Sequence, residues 1–210
     1  MTIELFGTKI RLTFSFFAVI TLMFLSAQER IVAVCLLSSL LHECGHLFVM
    51  YIFGEKPSEV VFGAFGIRIE RFAVSTLSYK KEAVISLGGV IVNFFLVAIF
   101  FLYYDFCKSD TALIGAFVNL FVASLNLMPV GVLDAGNFLR YILLVKYDEE
   151  KTEKVLSFVS DVTVIVFCVF CIFFTLFISV NVSLIAVCVY LITINLNLFI
   201  ERKKYDKQGN

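Results

Sequence analysis

The chain contains two histidines, and they stand four residues apart in His42-Glu43-Cys44-Gly45-His46. On a helix, positions four apart share a face, so both imidazoles can reach a single metal ion. Glu43 directly follows the first of them, close enough to take a proton from a metal-bound water. The plainer reading is a pair of core histidines beside a stray carboxylate. It fares poorly, because ionisable groups inside a membrane helix are costly and functional by default. A catalytic zinc takes three protein ligands and keeps one position for water. With no third histidine in the chain, the remaining ligand has to be a carboxylate or a thiolate.

Few acidic residues lie within or at the ends of apolar runs. Asp134 stands out in Asn126-Leu127-Met128-Pro129-Val130-Gly131-Val132-Leu133-Asp134-Ala135-Gly136, because apolar and small residues surround it. Asp105, Asp110, Asp148 and Asp161 lie in or beside polar connections and read as solvated loop charges.

The elements that must position these groups are membrane spans. Of the 210 residues, 60% are apolar and 16% charged, against roughly 45–50% and about 25% in soluble domains. A mean hydropathy of +0.97 is beyond what one soluble core of this size buries. Seventeen basic residues balance seventeen acidic ones, which leaves no footprint for nucleic acid. The six cysteines lie mostly in apolar runs, which excludes a secreted disulfide scaffold.

Crossing about 30 Å of hydrocarbon takes roughly 20 helical residues. Candidate spans lie near Leu12–Ala27, Ile31–Phe53, Ala83–Tyr104, Thr111–Pro129, Val155–Ser179 and Val182–Ile200. The first is short but lacks a signal-peptide cleavage pattern, and reads as a retained span. The expected fold is an α-helical polytopic membrane protein with six transmembrane helices, organised as a single domain over residues 1–210. With both termini cytoplasmic, every basic residue except Arg30 and Lys108 falls on the inside, as the positive-inside rule requires. Depth favours Asp134 as a ligand. His46 lies about 10 Å inside the cytoplasmic end of the second span, and Asp134 lies about 9 Å from Arg140 if helical. Pro129 and Gly131 break regular helix there, which is tolerable only around a cavity.

One inside segment is not an ordinary loop. Residues Val60 to Phe72 are β-branched and aromatic with glycine breaks, and alternate from Phe65 to Arg71. They read as a short β-hairpin between helices two and three. It serves either as a cap on the cytoplasmic face or as an edge that pairs with an extended peptide.

These residues resemble the site-2 proteases, polytopic zinc metalloproteases that cut within or beside the membrane. The resemblance rests on His42-Glu43-x-x-His46 and on Asn-x-x-Pro-x-x-x-Leu-Asp at Asn126, Pro129, Leu133 and Asp134. Asn93 after Gly88-Gly89 is similar to the family's Gly-Pro-x-x-Asn signature, with Gly89 at the proline position. Ala135 stands where the family usually has glycine. The chain is most similar to the branch that processes a pro-sigma factor in sporulation, without the CBS domain that often follows there.

The resemblance implies Zn2+ held by His42, His46 and Asp134, with Glu43 as the catalytic base. Asn126 and Asn93 would bind substrate or support the oxyanion, against the plainer role of polar glue between helices. It also implies an integral protein of the bacterial cell membrane and a membrane-associated or transmembrane substrate. A sigma-factor precursor, an anti-sigma factor or a leftover signal peptide would each suit a cytoplasm-proximal site. An alternative from another class is a membrane metal transporter or sensor using the same histidines and aspartate. Cys168-x-x-Cys171 lies in an apolar span with no partner pair and reads as helix packing. Cys44 should point away from the ligand face, and Gly45 and Gly136 should permit close helix approach.

Overall fold

The computed structural model describes residues 2–5, 8–26, 28–63, 66–70, 77–177 and 182–208. It is mostly helical and divides into two compact units, Met1–Leu125 and Asn126–Asn210. The first unit opens with strands β1 (Thr2–Leu5) and β2 (Thr8–Leu12), then α1 (Phe14–Ser26) and α2 (Glu29–Ile52). Strands β3 (Glu59–Gly63) and β4 (Gly66–Glu70) follow, then α3 (Tyr79–Cys107) and α4 (Asp110–Asn126), at whose last residue the second unit begins.

The four strands form one sheet in the order β1-β2-β3-β4. β3 and β4 make the hairpin expected between helices two and three, here α2 and α3, with Val60 opposite Ile69 and Gly63 opposite Gly66; Ala64, Phe65, Arg71 and Phe72 of the expected segment lie outside the described residues. β1 and β2 add a second hairpin, and β2 lies parallel to β3 with Ile10 opposite Val60. The β2–β3 seam is pinned by a two-pronged ion pair, Arg11 Nε to Glu59 Oε1 at 2.6 Å and Arg11 Nη2 to Glu59 Oε2 at 2.5 Å. The guanidinium holds the Glu59 carboxyl below its ordinary pKa.

Three helices are long and apolar enough to cross a membrane, α2 with 24 residues and α3 and α6 (Glu149–Phe177) with 29 each. Shorter apolar helical stretches cover Phe14–Leu25, Asp110–Asn126 and Leu184–Leu198. Each of the six apolar runs thus contains a helix, and among the described residues three of these helices have the length and composition of a membrane crossing.

α2 begins after an extended Gln28, with Glu29 in its first turn, where a carboxylate favours the positive end of the helix dipole. It ends in a glycine-based cap. Gly54 sits at φ +77°, Glu55 N–H donates to Met50 O at 3.0 Å and Gly54 N–H to Tyr51 O at 3.0 Å, the paired bonds of a Schellman stop. α2 and α3 cross at glycines. A Cβ on Gly45 would stand 2.5 Å from Gly88 O, and one on Gly88 would stand 2.7 Å from Gly45 O. This is the close approach expected of Gly45, and it carries Ala83, Ile85, Ser86, Val90 and Asn93 into the buried interior. α4 buries Ala112, Gly115, Ala116, Asn119 and Ala123, a small-residue stripe that suits close helix packing. Its Asn119 Nδ2 donates to Ser38 Oγ on α2 at 2.9 Å.

The second unit contains α5 (Asp134–Leu144), α6 and α7 (Val182–Gln208). Its core is Val130, Leu133, Val164 and Leu191, with Met128, Phe167, Cys168, Val187 and Ile194 against it. α6 and α7 are antiparallel, since Asp161 meets Asn195 while Cys168 meets Cys188 and Cys171 meets Leu184. Arg140 of α5 is tied to α6 through Glu153 at 2.6 Å and Glu149 at 3.2 Å.

Candidate metal centre

The ligand-type residues of the first unit meet where α2 crosses α3. His42 and His46 are both buried, and their Nε2 atoms are 3.3 Å apart. Each ring is held from behind by α3. His46 Nδ1 donates to the backbone carbonyl of Ile85 at 2.8 Å, and His42 Nδ1 donates to Asn93 Oδ1 at 3.2 Å. With their N–H groups spent on these acceptors, both rings turn an Nε2 lone pair toward one point.

Two lone pairs at that separation repel unless a cation lies between them. The spacing also matches a metal: two nitrogens 2.0–2.1 Å from a tetrahedral centre stand about 3.3 Å from each other. The donor set therefore fits a divalent ion such as zinc. Gly89 leaves the room for it. A Cβ there would stand 2.5 Å from His42 Cε1, 2.5 Å from His46 Nε2 and 2.6 Å from His42 Nε2, so any side chain at 89 would press on the converging nitrogens.

Glu43 is half-buried on the same helix, one residue past His42, and Cys44 is exposed as the helical spacing requires. Asn93, suggested by sequence as a substrate or oxyanion donor, has its carbonyl oxygen on His42. Its Nδ2 is buried with no hydrogen-bond partner among the described residues. Its first role here is thus to orient a ring, and only its amide nitrogen remains to donate elsewhere.

In the second unit, Asp134 is half-buried as the first residue of α5, after an extended Leu133. The preceding segment is irregular, as Pro129 and Gly131 suggest, and folds through bonds from Val130 N–H to Met128 O at 2.8 Å and Leu133 N–H to Val130 O at 2.8 Å. Ser160 of α6, fully buried, locks it in place. Its hydroxyl accepts from Gly131 N–H at 3.1 Å and donates to Pro129 O at 3.3 Å. A Cβ on Gly136 would run into the carbonyl of Val130, so glycine there lets α5 lie against its own lead-in. Asn126 is the half-buried last residue of α4.

The other aspartates divide. Asp148 caps α6 by accepting from Lys151 N–H at 3.2 Å, Asp105 pairs with Lys108 at 2.9 Å near the end of α3, and Asp110 opens α4. Asp161 departs from its reading as a loop charge. It lies inside α6 and accepts from Asn195 Nδ2 of α7 at 2.6 Å. An apolar run interrupted by one carboxylate looks like a run ending, but a cross-helix donor lets the helix continue through it.

Three contributors are invisible in the motif itself: the Ile85 carbonyl, the space above Gly89 and the Ser160 latch. A glycine pair in the middle of an apolar run was the available signal for the second, and the other two had none.

No family model matches the chain, and no curated protein matches it in sequence. Among solved structures, its fold is similar to that of a Site-2 protease from Methanocaldococcus jannaschii, with a TM-score of 0.66 and 20% sequence identity over 94% of each chain.

Proposed function

We propose that this protein is an intramembrane zinc metalloprotease that hydrolyses a peptide bond in or next to a transmembrane segment near the cytoplasmic face. The observation that carries this reading is the histidine pair, with Nε2 atoms 3.3 Å apart and both Nδ1 atoms bonded to acceptors on α3. The fold shared with a Site-2 protease supports it.

In this reading His42, His46 and Asp134 hold the ion, which when bound supplies Lewis acidity and brings the pKa of water toward about 7. Glu43 takes up the proton of the attacking water at its carboxylate and returns it to the leaving amine. Ile85 O and Asn93 Oδ1 keep the rings in register. Asn126 and the amide nitrogen of Asn93 donate to the substrate carbonyl as charge builds on it. A helical substrate must first unwind, because its peptide groups are already paired. Among the described residues β4 ends the strand order of the sheet, and its outer edge near Ile67 and Ile69 would hold the unwound segment by strand addition.

The same reading gives six crossings, both termini in the cytoplasm and one working domain in a bacterial cell membrane. It places the reaction in regulated intramembrane proteolysis, as in sporulation, with a sigma-factor precursor or an anti-sigma factor as substrate.

The test pairs metal analysis of detergent-purified protein with cleavage of a membrane-tethered reporter. A Glu43→Gln variant should keep its zinc and lose cleavage about 10²–10⁴-fold. Wild-type protein without bound transition metal, cleavage that survives exhaustive chelation, or full activity in Glu43→Gln would overturn the reading. Metal flux that is indifferent to Glu43, without cleavage, would identify a carrier instead.

A further inference from the structure

Cys168 and Cys171 are a Cys-x-x-Cys pair with no obvious partner in sequence. The structure supplies one. Cys188 of α7 places its Sγ 3.0 Å from that of Cys168, and Cys171 donates its thiol to the Leu184 carbonyl at 3.8 Å while also lying within reach of Cys188. The thiol that faces Cys168 is therefore on the neighbouring helix, not one turn along its own. Cys168 and Cys188 are half-buried, and Cys171 is buried. Cys168 packs, with Phe167 and Val187, against the apolar core of Val130, Leu133, Val164 and Leu191.

We propose that Cys168 and Cys188 form a redox-active dithiol that closes to a disulfide joining α6 to α7, with a lipid-soluble two-electron oxidant of the quinone class as its reactant. The surroundings are apolar and α6 is long enough to span a membrane, so a hydrocarbon-soluble oxidant is the kind that reaches the sulfurs. In the step, the two S–H bonds break and one S–S bond forms. The sulfurs give up two electrons and two protons, and the quinone takes up both to become the quinol. Proximity favours closure within this pair, because two groups already in contact react as if at very high concentration.

Full-length protein in membranes would be treated with a short-chain quinone or, in parallel, with diamide, then denatured, alkylated with N-ethylmaleimide and mapped by mass spectrometry. Labelling of Cys168 and Cys188 should fall about tenfold or more, as high effective molarity implies, while Cys35, Cys44 and Cys107 stay labelled. A linked peptide pair containing Cys168 and Cys188 should appear, and a membrane-permeant dithiol should restore both sites. Cys188→Ser should leave Cys168 open to alkylation, and Cys171→Ser should not prevent the link. A Cys168–Cys171 or Cys171–Cys188 bond in its place, protection of Cys168 in Cys188→Ser, or no protection with either oxidant would overturn the proposal.

Discussion

A single methyl group at position 89 should empty the histidine site. The Cβ of Gly89→Ala would stand 2.5 Å from His42 Cε1 and from His46 Nε2, which is roughly 0.9 Å short of ordinary contact distance. Space for it has to come from the rings or from the helices. If the rings swing away, His46 leaves the Ile85 carbonyl and His42 leaves Asn93. If α3 backs off, the Gly45–Gly88 crossing opens and carries those same acceptors with it. Losing the orienting partner of one metal-bound histidine costs about 10–100-fold in affinity. Two rings displaced together should cost about 10²–10⁴-fold, or roughly 2.7–5.5 kcal/mol. The assay is competition for zinc against a chelator of known affinity, run on protein purified in detergent and checked for helix content. Gly54→Ala is the matched control. Its Cβ meets nothing within 4 Å, but its φ of +77° is strained for any other residue. It should therefore lose about 1–2 kcal/mol of stability and no metal. Gly89→Ala protein with intact helices and wild-type zinc affinity would refute the reasoning.

Asn93→Ala removes the acceptor behind His42 and should weaken metal binding about 10–100-fold, whereas Asn93→Asp, which keeps an acceptor, should recover most of it in the same competition assay. Ser160→Ala strips the Pro129–Gly131 turn of its latch and should cost about 1–3 kcal/mol, read as a lowered midpoint in thermal unfolding. The β2–β3 seam should weaken in acid. Arg11 holds the Glu59 carboxyl below its ordinary pKa, so its contribution is complete above the unfolded value, near pH 4.3, and disappears as pH falls through the lower folded one. Protection of the β3 amides, taken relative to their intrinsic exchange at each pH, should fall across that window, and Arg11→Gln should abolish that fall. Unchanged protection on acidification would count against the ion pair.

What could be read from sequence alone was whatever is local. The four-residue spacing of His42 and His46 needs only helical geometry, and the apolar runs need only composition. The irregular lead-in to Asp134 followed from Pro129 and Gly131, and the β3–β4 hairpin from alternation and glycine. Non-local pairings stayed hidden. Leu12 reads as the start of a span, yet it ends β2, because β2 finds its partner in β3 some fifty residues on. α5 is too short and too mixed to separate from a polar connection without its Arg140 anchors on α6. Asn93 looks like a donor for substrate until His42 is seen beside its carbonyl oxygen. In each case the missing information was the identity of a neighbour, which periodicity does not encode.

Where Gly45 meets Gly88, main chain lies directly on main chain, with no side chain between to cushion sliding. A slip of α3 by one turn would strip both imidazoles of their supports at the same moment. This stretch of the molecule therefore behaves as a rigid frame. In the proposed reaction, whatever yielding a bulky substrate demands has to come from elements other than this pair of helices.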